Sequence, residues 1–437
     1  MHLNNFRYRS LVPAVLVAAG LGGCDNVSRL LEVENPGVIG EPALGDVNLL
    51  PAMVNSAVGQ FQTMFDDLVF AGAILSDEGV NGHNFSQWRD FDLRIMDRTN
   101  SILGSEIYGP VQRARGSADE FSGRIREILG NAAGSDLGLA RVLAYGGYSH
   151  VILGEYFCEA PVNPAEAALT SEQILARAVQ HFDEAIAIAT AWRASAPAAQ
   201  HSRADSIINL ARVGAARANL WMGNEQQAIS YASQVPAEFE MWVAYASSTA
   251  NPNNRLQAAT NGASRYLGVG VAFRDLNDPR VRHTASPAKG HNGLTDLWDP
   301  YQGPSHSEWD PETPIRFENG TNIRLASGLE ARYIVAEAQG LTVENLAFVN
   351  SRRAVGGQSL LVTVSEAEYM AALRDQRRRD FFLDGHRLGD LRRYITQYGV
   401  NEFPSGPHPN ADWGNYDSAT CFVPHNNEVI GNPNYRP

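Results

Sequence analysis

The stretch RDQRRRDFFLDGHRLGDLRR, residues 374–393, restricts the fold more than any other part of the chain. It carries seven arginines, four aspartates and one histidine. A segment this charged must either face water or be enclosed with its charges partnered, because an unpaired buried ion is strongly unfavourable. The aspartates are interleaved with the arginines at helical spacing. Residues three and four apart are neighbours on a helix. Asp375 then reaches Arg378 and Arg379, Arg377 reaches Asp380, and Asp390 reaches Arg393. Tyr369, Leu373 and Phe381 supply apolar contact on one side, and Gly385 ends the first helix. The reading is a structural charge network of local pairs, each worth a few tenths of a kcal/mol where exposed. A phosphate-binding helix would instead present unpaired basic residues. The chain as a whole agrees: its 437 residues carry a formal charge of −13.

The remaining text is mostly helical. Apolar residues recur at helical spacing over 51–75, 97–129 and 136–157. Thr170-Ser171-Glu172-Gln173 is a capping-box pattern. Ile174, Ala178, Phe182 and Ile186 follow it every four residues as one buried stripe. DSIINLARVGAARANLWMG, a turn at Gly223-Asn224 and EQQAISYASQVP read as a helix pair. Ala215, Ala218 and Ala228 allow that pair to approach closely, as in a degenerate tetratricopeptide-type hairpin; an ordinary helical hairpin is the alternative. Helices return at 327–339 and 342–354. Ser365-Glu366-Ala367-Glu368 is a second capping box, opening the helix that carries the arginines. Residues 236–326 are rich in Pro, Gly, Asn and aromatics with little period, and the tail 399–437 is irregular. Trp192, Trp221 and Trp242 lie in or near helical text and read as core.

Residues 1–23 form a targeting segment. Arg7 and Arg9 precede the apolar run LVPAVLVAAGL, which is too short to span a bilayer. Leu21-Gly22-Gly23-Cys24 then reads as a bacterial lipobox with Cys24 as the lipid attachment site, and acyl chains would anchor the protein to a membrane. Residues 24–50 read as a tether. With Cys24 acylated, Cys158 and Cys421 remain, and two spare cysteines in an exported chain suggest a disulfide; two buried thiols are the alternative.

Nothing in the chain carries a catalytic signature. There is no G-x-S-x-G, H-E-x-x-H or P-loop pattern. His283, His291 and His306 share one loop region but lack compact ligand spacing, so no metal is expected there. No cofactor is expected either. A glycosidase needs two carboxylates at a set separation, and sequence alone cannot pair the 48 acids.

QRRRDFFLDGHRLGDLRR also resembles the C-terminal signature of the SusD/RagB family, roughly E-R-x-x-E-L-x-x-E-G-x-R-x-x-D-L-x-R. Arg377, Asp380, Asp384, Gly385, Arg387, Asp390, Leu391 and Arg393 fall in register, with Gln376, Asp380, Phe381 and Asp384 as mild departures. LLEVENPGVIG (30–40), AMVNSAVGQF (52–61), LNDPRV (276–281) and FVPHNNEVIGNPNYRP (422–437) resemble further family segments. The resemblance implies a mainly α fold, with a tetratricopeptide-like helical scaffold packed against a loop-rich variable half. It implies one such domain over 51–437: scaffold mainly at 51–235 and 327–398, variable region at 236–326. It also implies a non-enzymatic surface lipoprotein of the outer membrane. Such a protein would deliver oligosaccharides, or sometimes peptides, to a SusC-like TonB-dependent transporter.

Family motifs do not locate the ligand. A sugar surface wants aromatic platforms beside directed polar groups, on loops held by a rigid scaffold. Two loops fit. Residues 81–92 offer Trp88 with Asn81 and Arg89; residues 290–314 offer Trp298, Tyr301 and Trp309. The competing functions are a helical scaffold that binds only a protein partner and a secreted glycan-degrading enzyme.

Overall fold

The computed structural model describes residues 45–163, 166–247, 253–261 and 265–436. The signal segment, Cys24 and nearly all of the tether lie outside the described residues. A 3-10 turn spans Val47–Leu49, inside the segment expected to be tether.

Val47–Pro437 forms one compact unit, built mainly of helices. The first, α1 (Leu50–Leu75), buries Met53, Val54, Ala57, Val58 and Phe61 at three- and four-residue spacing. Its last turns, from Leu68 on, are buried all round. After the short strand β1 (Gly79–Asn81) comes α2 (Ser86–Asp92). Then follow α3 (Gly109–Leu129), α4 (Leu137–Tyr156), α5 (Ser171–Ser195), α6 (His201–Trp221) and α7 (Glu225–Ala232). Helices α3 to α7 pack each against the next, and α4 also touches α1 and α6. Helix α4 is therefore buried on nearly every face, as expected for the central member of a helical layer. Phe182 of α5 fills the space left by Gly147 and Gly214, where a Cβ would come within 2.6 and 2.3 Å of its ring. The expected box at Thr170 is present, and α6 and α7 form the expected hairpin.

The variable region holds the short helices α8 (Arg255–Asn261) and α9 (Val271–Arg274), and the scaffold resumes with α10 (Gly328–Gln339) and α11 (Val343–Val355). Next are α12 (Glu366–Asp380), opened by the Ser365/Glu368 box, and α13 (Arg387–Tyr398). The last, α14 (Asn426–Gly431), lies in the mostly irregular tail, which also holds a 3-10 turn at Ala411–Trp413. Strands are few, and the described sheets are two-stranded and antiparallel. β1 pairs with β5 (Leu267–Val269) and β2 (Glu159–Ala160) with β3 (Leu169–Thr170). β4 (Glu240–Val243) pairs with β8 (Ile323–Ser327), and β6 (His283–Ala285) with β7 (Trp298–Pro300). The β4–β8 pair pins together the two ends of the variable region. Trp221 is buried. Trp192 and Trp242 are only half-buried, beneath Arg203 and Arg324, and Trp242 sits on a strand. Cys158 and Cys421 form a disulfide across 263 residues. No helix of the described residues is long and apolar enough to cross a membrane.

The arginine segment departs most from a surface reading. Helix α12 stops at Asp380, and the six residues 381–386 lead to α13. Gly385 takes φ +88° there, and its carbonyl accepts the Tyr156 hydroxyl at 3.1 Å. Most of the charges are buried, and many partners are distant in sequence. Asp375 does bond Arg378 and Arg379, and Asp390 bonds Arg393 at 3.1 Å. Arg377, however, pairs with Asp390 at 2.7 Å rather than with Asp380. Asp380 instead receives Arg280 at 2.9 Å, Arg352 at 2.6 Å and the Tyr333 hydroxyl at 2.5 Å. Arg387 holds Asp77 at the end of α1 at 2.6 Å, and Arg393 holds Glu337 of α10 at 3.1 Å. Asp384 accepts from Ser305 of the variable region and pairs with His386, both at 2.7 Å. Arg217 of α6 binds Glu155 of α4 at 2.5 Å and reaches the Gly385 carbonyl at 3.3 Å.

The charges hold one another's ionisation states. Burial alone would raise Asp390, but Arg377 and Arg393 outweigh it and keep the carboxyl well below the usual range. His386 is buried and faces Arg217, and both effects would lower it. Asp384 and Glu330 win, and its pKa is raised. His386 Nε2 lies 3.0 Å from Glu330 Oε1, off-line for a hydrogen bond, so that contact is coulombic.

Two outcomes follow. Arg387→Ala or Asp390→Ala leaves an opposite charge buried and unpaired. Each should lower the free energy of unfolding in urea by about 3–5 kcal/mol. The His386 contribution has a definite sign. A raised folded pKa gives stability that is fully present below the unfolded value near pH 6.5 and is lost as pH rises through the folded value. Unfolding curves across pH 6 to 9 should show that loss, and His386→Gln should flatten it.

Candidate functional site

One backbone bond joins the two aromatic loops, and a second ties the first of them to Tyr266. The Asn292 N–H bonds the Gly82 carbonyl at 3.0 Å, and the Gly82 N–H bonds the Tyr266 carbonyl at 2.7 Å. A Cβ on Gly82 would fall 2.4 Å from the Arg265 carbonyl oxygen, and one on Gly290 would fall 2.7 Å from Gly82 Cα. Only glycine fits at these two positions, so the backbone at Gly82 lies directly against that of Gly290 to Asn292.

Three clefts lie on the loops around Arg274. One, of about 280 Å³, is walled by Arg274, Trp298, Thr295, Asp296, Asn410 and Asp412. A second, of about 610 Å³, also uses Arg274 and runs along Asp275, Asn277, Arg282 and His283. A third, of about 540 Å³, shares Pro409 with the first and is lined by Val271, Pro404, Pro407 and Tyr416. The Arg274 guanidinium lies 3.9 Å over the Trp298 ring, and its Nε bonds the Val269 carbonyl at 2.9 Å. Its Nη2 is buried and has no partner among the described residues. Arg274 is thus a fixed planar donor backed by an aromatic ring, with carboxylates on either side. That chemistry suits hydroxyl-rich ligands.

Beside the clefts lies an aromatic group absent from the sequence reading. His83 stacks on Tyr266 at 4.1 Å and lies 4.5 Å from Phe85, and Tyr266 lies 5.6 Å from His291. Phe85 is 50% exposed. Burial, with Arg255 nearby, lowers His83 to about 4, so its ring is neutral at ordinary pH.

The sequence candidates divide. Trp298 stands in a cleft wall. Trp88 does not face solvent: it is 1% exposed, edge-on to Phe70 at 4.7 Å and to Phe91 at 5.6 Å. The expected loop at 86–92 is a helix, and Trp88 and Phe91 share its inner side. Asn81 is likewise buried, in β1; its N–H bonds Asp92 at 2.8 Å and its side-chain oxygen accepts the His83 N–H. These two candidates are core. Arg89 is exposed, 3.7 Å from Asp90. Tyr301 is half-buried with Arg316 over its ring at 4.2 Å, and Trp309 is half-buried. Neither is in the walls of the three clefts. Nor do the three loop histidines converge. His306 is buried, lowered to about 4 by that burial, and bound to the Leu383 carbonyl at 3.0 Å.

The architecture is similar to that of solved SusD-like structures. A SusD superfamily protein from Bacteroides vulgatus superposes with a TM-score of 0.64 over 90% of this chain and 99% of its own, at 14% identity. A SusD-like carbohydrate binding protein from Bacteroides fragilis gives 0.61, with the same coverage and identity. A SusD superfamily protein from Parabacteroides distasonis gives 0.62 over 89% and 98%, at 13% identity. The chain therefore has the SusD-like, mainly α fold. Sequence comparison alone finds no matching family model and no matching curated protein.

The placement of the two aromatics predicts a contrast. Trp88→Ala empties a core site and should cost about 3–5 kcal/mol in urea unfolding. Phe85→Ala, at the surface, should stay within about 0.5 kcal/mol of the parent.

Proposed function

We propose that the protein is a non-catalytic, lipid-anchored nutrient-binding protein of the outer membrane. It captures oligosaccharides on its loop face and delivers them to a SusC-like TonB-dependent transporter. The observation that carries the reading is the SusD-like fold spanning nearly the whole chain, with the Trp298–Arg274 clefts on its loops. The SusD/RagB signature supports it, since those residues serve the interior and leave capture to the loops. The lipobox supports anchorage through Cys24; the outer-membrane placement and the exterior-facing orientation rest on the family resemblance. A ligand would meet the Arg274–Trp298 stack as a unit, with apolar sugar faces against rings and hydroxyls on the guanidinium, Asp296 and Asp412.

Binding of the purified protein to a panel of glycans and peptides tests this. Saturable glycan binding is expected. Trp298→Ala should weaken it at least about tenfold, the scale of a central binding residue, while Arg89→Ala changes it little. Cleavage of any glycan by the protein would contradict the non-catalytic assignment. Failure to bind every small ligand, together with a stable transporter complex, would favour a scaffold that binds only a protein partner.

A further inference from the structure

Three scaffold helices bring together side chains that sequence spacing does not connect. Asp119 comes from α3, His150 from α4 and His181 from α5. One potential ligand atom from each lies within 4.8 Å of the other two. The rings of His150 and His181 are 4.8 Å apart, and His181 Nε2 lies 3.3 Å from Asp119 Oδ1. Around a tetrahedral ion with bonds of about 2.1 Å, neighbouring ligand atoms stand roughly 3.4 Å apart. The Asp119–His181 edge already has that length, and a small ring movement brings in His150.

The surroundings are those of a ligand set. His150 is buried, and its Nδ1 meets the Gly146 carbonyl at 2.9 Å. That bond fixes Nδ1 as the protonated nitrogen and leaves the Nε2 lone pair, the usual outer support of a metal-binding histidine. Arg115 donates to Asp119 Oδ2 at 2.7 Å and so orients the carboxylate with Oδ1 toward His181. The three groups open on a cleft of about 370 Å³. The other charged side chains in its wall are already paired: Arg177 with Glu166 at 3.1 Å and Glu184 with Arg126 at 2.7 Å.

We propose that Asp119, His150 and His181 form a binding site for a divalent transition metal of the zinc class. The donor set of two imidazoles and one carboxylate suits such ions and is too nitrogen-rich for calcium or magnesium. Three protein ligands leave a fourth position open to the cleft, for water or an external oxygen donor. The ion would clamp α3, α4 and α5 together.

The test uses the full-length protein in detergent, without a histidine tag. After equilibration with Zn²⁺ and dialysis, metal content is measured by mass spectrometry, with Co²⁺ absorption as a second reading of the coordination. The expected result is one zinc per chain and a tetrahedral Co²⁺ spectrum. His181→Ala and Asp119→Asn should each weaken binding by more than the roughly 10–100-fold that loss of an outer-shell partner costs, while His291→Ala has no effect. Circular dichroism confirms that each variant is folded; if His181→Ala is not, Asp119→Asn decides. No retained zinc in the parent protein, or zinc retained undiminished in the folded variants, would overturn the proposal.

Discussion

The buried guanidinium–carboxylate network of 374–393 is the constraint on which the rest of the structure depends. Enclosing ions is unfavourable unless every charge finds an opposite partner in good geometry. Here the partners come from or beside five other helices. Asp77 closes α1, Glu155 ends α4, Arg217 lies in α6, Glu330 and Glu337 in α10, and Arg352 in α11. Two more links, Arg280 and Ser305, belong to the variable region. Misplacing one element would strand a charge, so the network acts as a register for the fold as much as a source of stability. It also ties the loop face to the helical scaffold, which keeps the clefts in a fixed place.

The helices were largely legible. Capping boxes at Thr170 and Ser365, the four-residue stripe of α5 and the Gly223-Asn224 turn are local patterns, and local patterns survive folding. The charge segment was legible in kind but not in partners. Helical spacing found Asp375 with Arg378 and Arg379, because those residues sit on one helix. It paired Arg377 with Asp380, yet Arg377 turns to Asp390 of α13 while Asp380 takes Arg280 and Arg352. Those arginines lie 100 and 28 residues away from Asp380, and no periodicity reports such contacts.

The site was harder to read. Tryptophan in polar text looks like an exposed platform, but a helix starting at Ser86 turns Trp88 inward and leaves Phe85 at the surface. The clue available was the three-residue spacing of Trp88 and Phe91. Trp298 is the candidate that reaches a cleft: it opens the short strand β7, which leaves its ring in the wall beside Arg274. Its stacking partner Arg274 could not be found, since nothing in the sequence marks which arginine crosses from α9. The Asp119–His150–His181 cluster has the same origin: three helices, one ligand each, and no motif.

The central claim is that the charge network is internal scaffold and that ligands meet the loops around Arg274. Hydrogen–deuterium exchange with and without a glycan that binds tests it most directly. Protection should appear in residues 270–298 and 402–416 and leave 374–393 unchanged. Protection centred on 374–393, with the loops unaffected, would contradict the account.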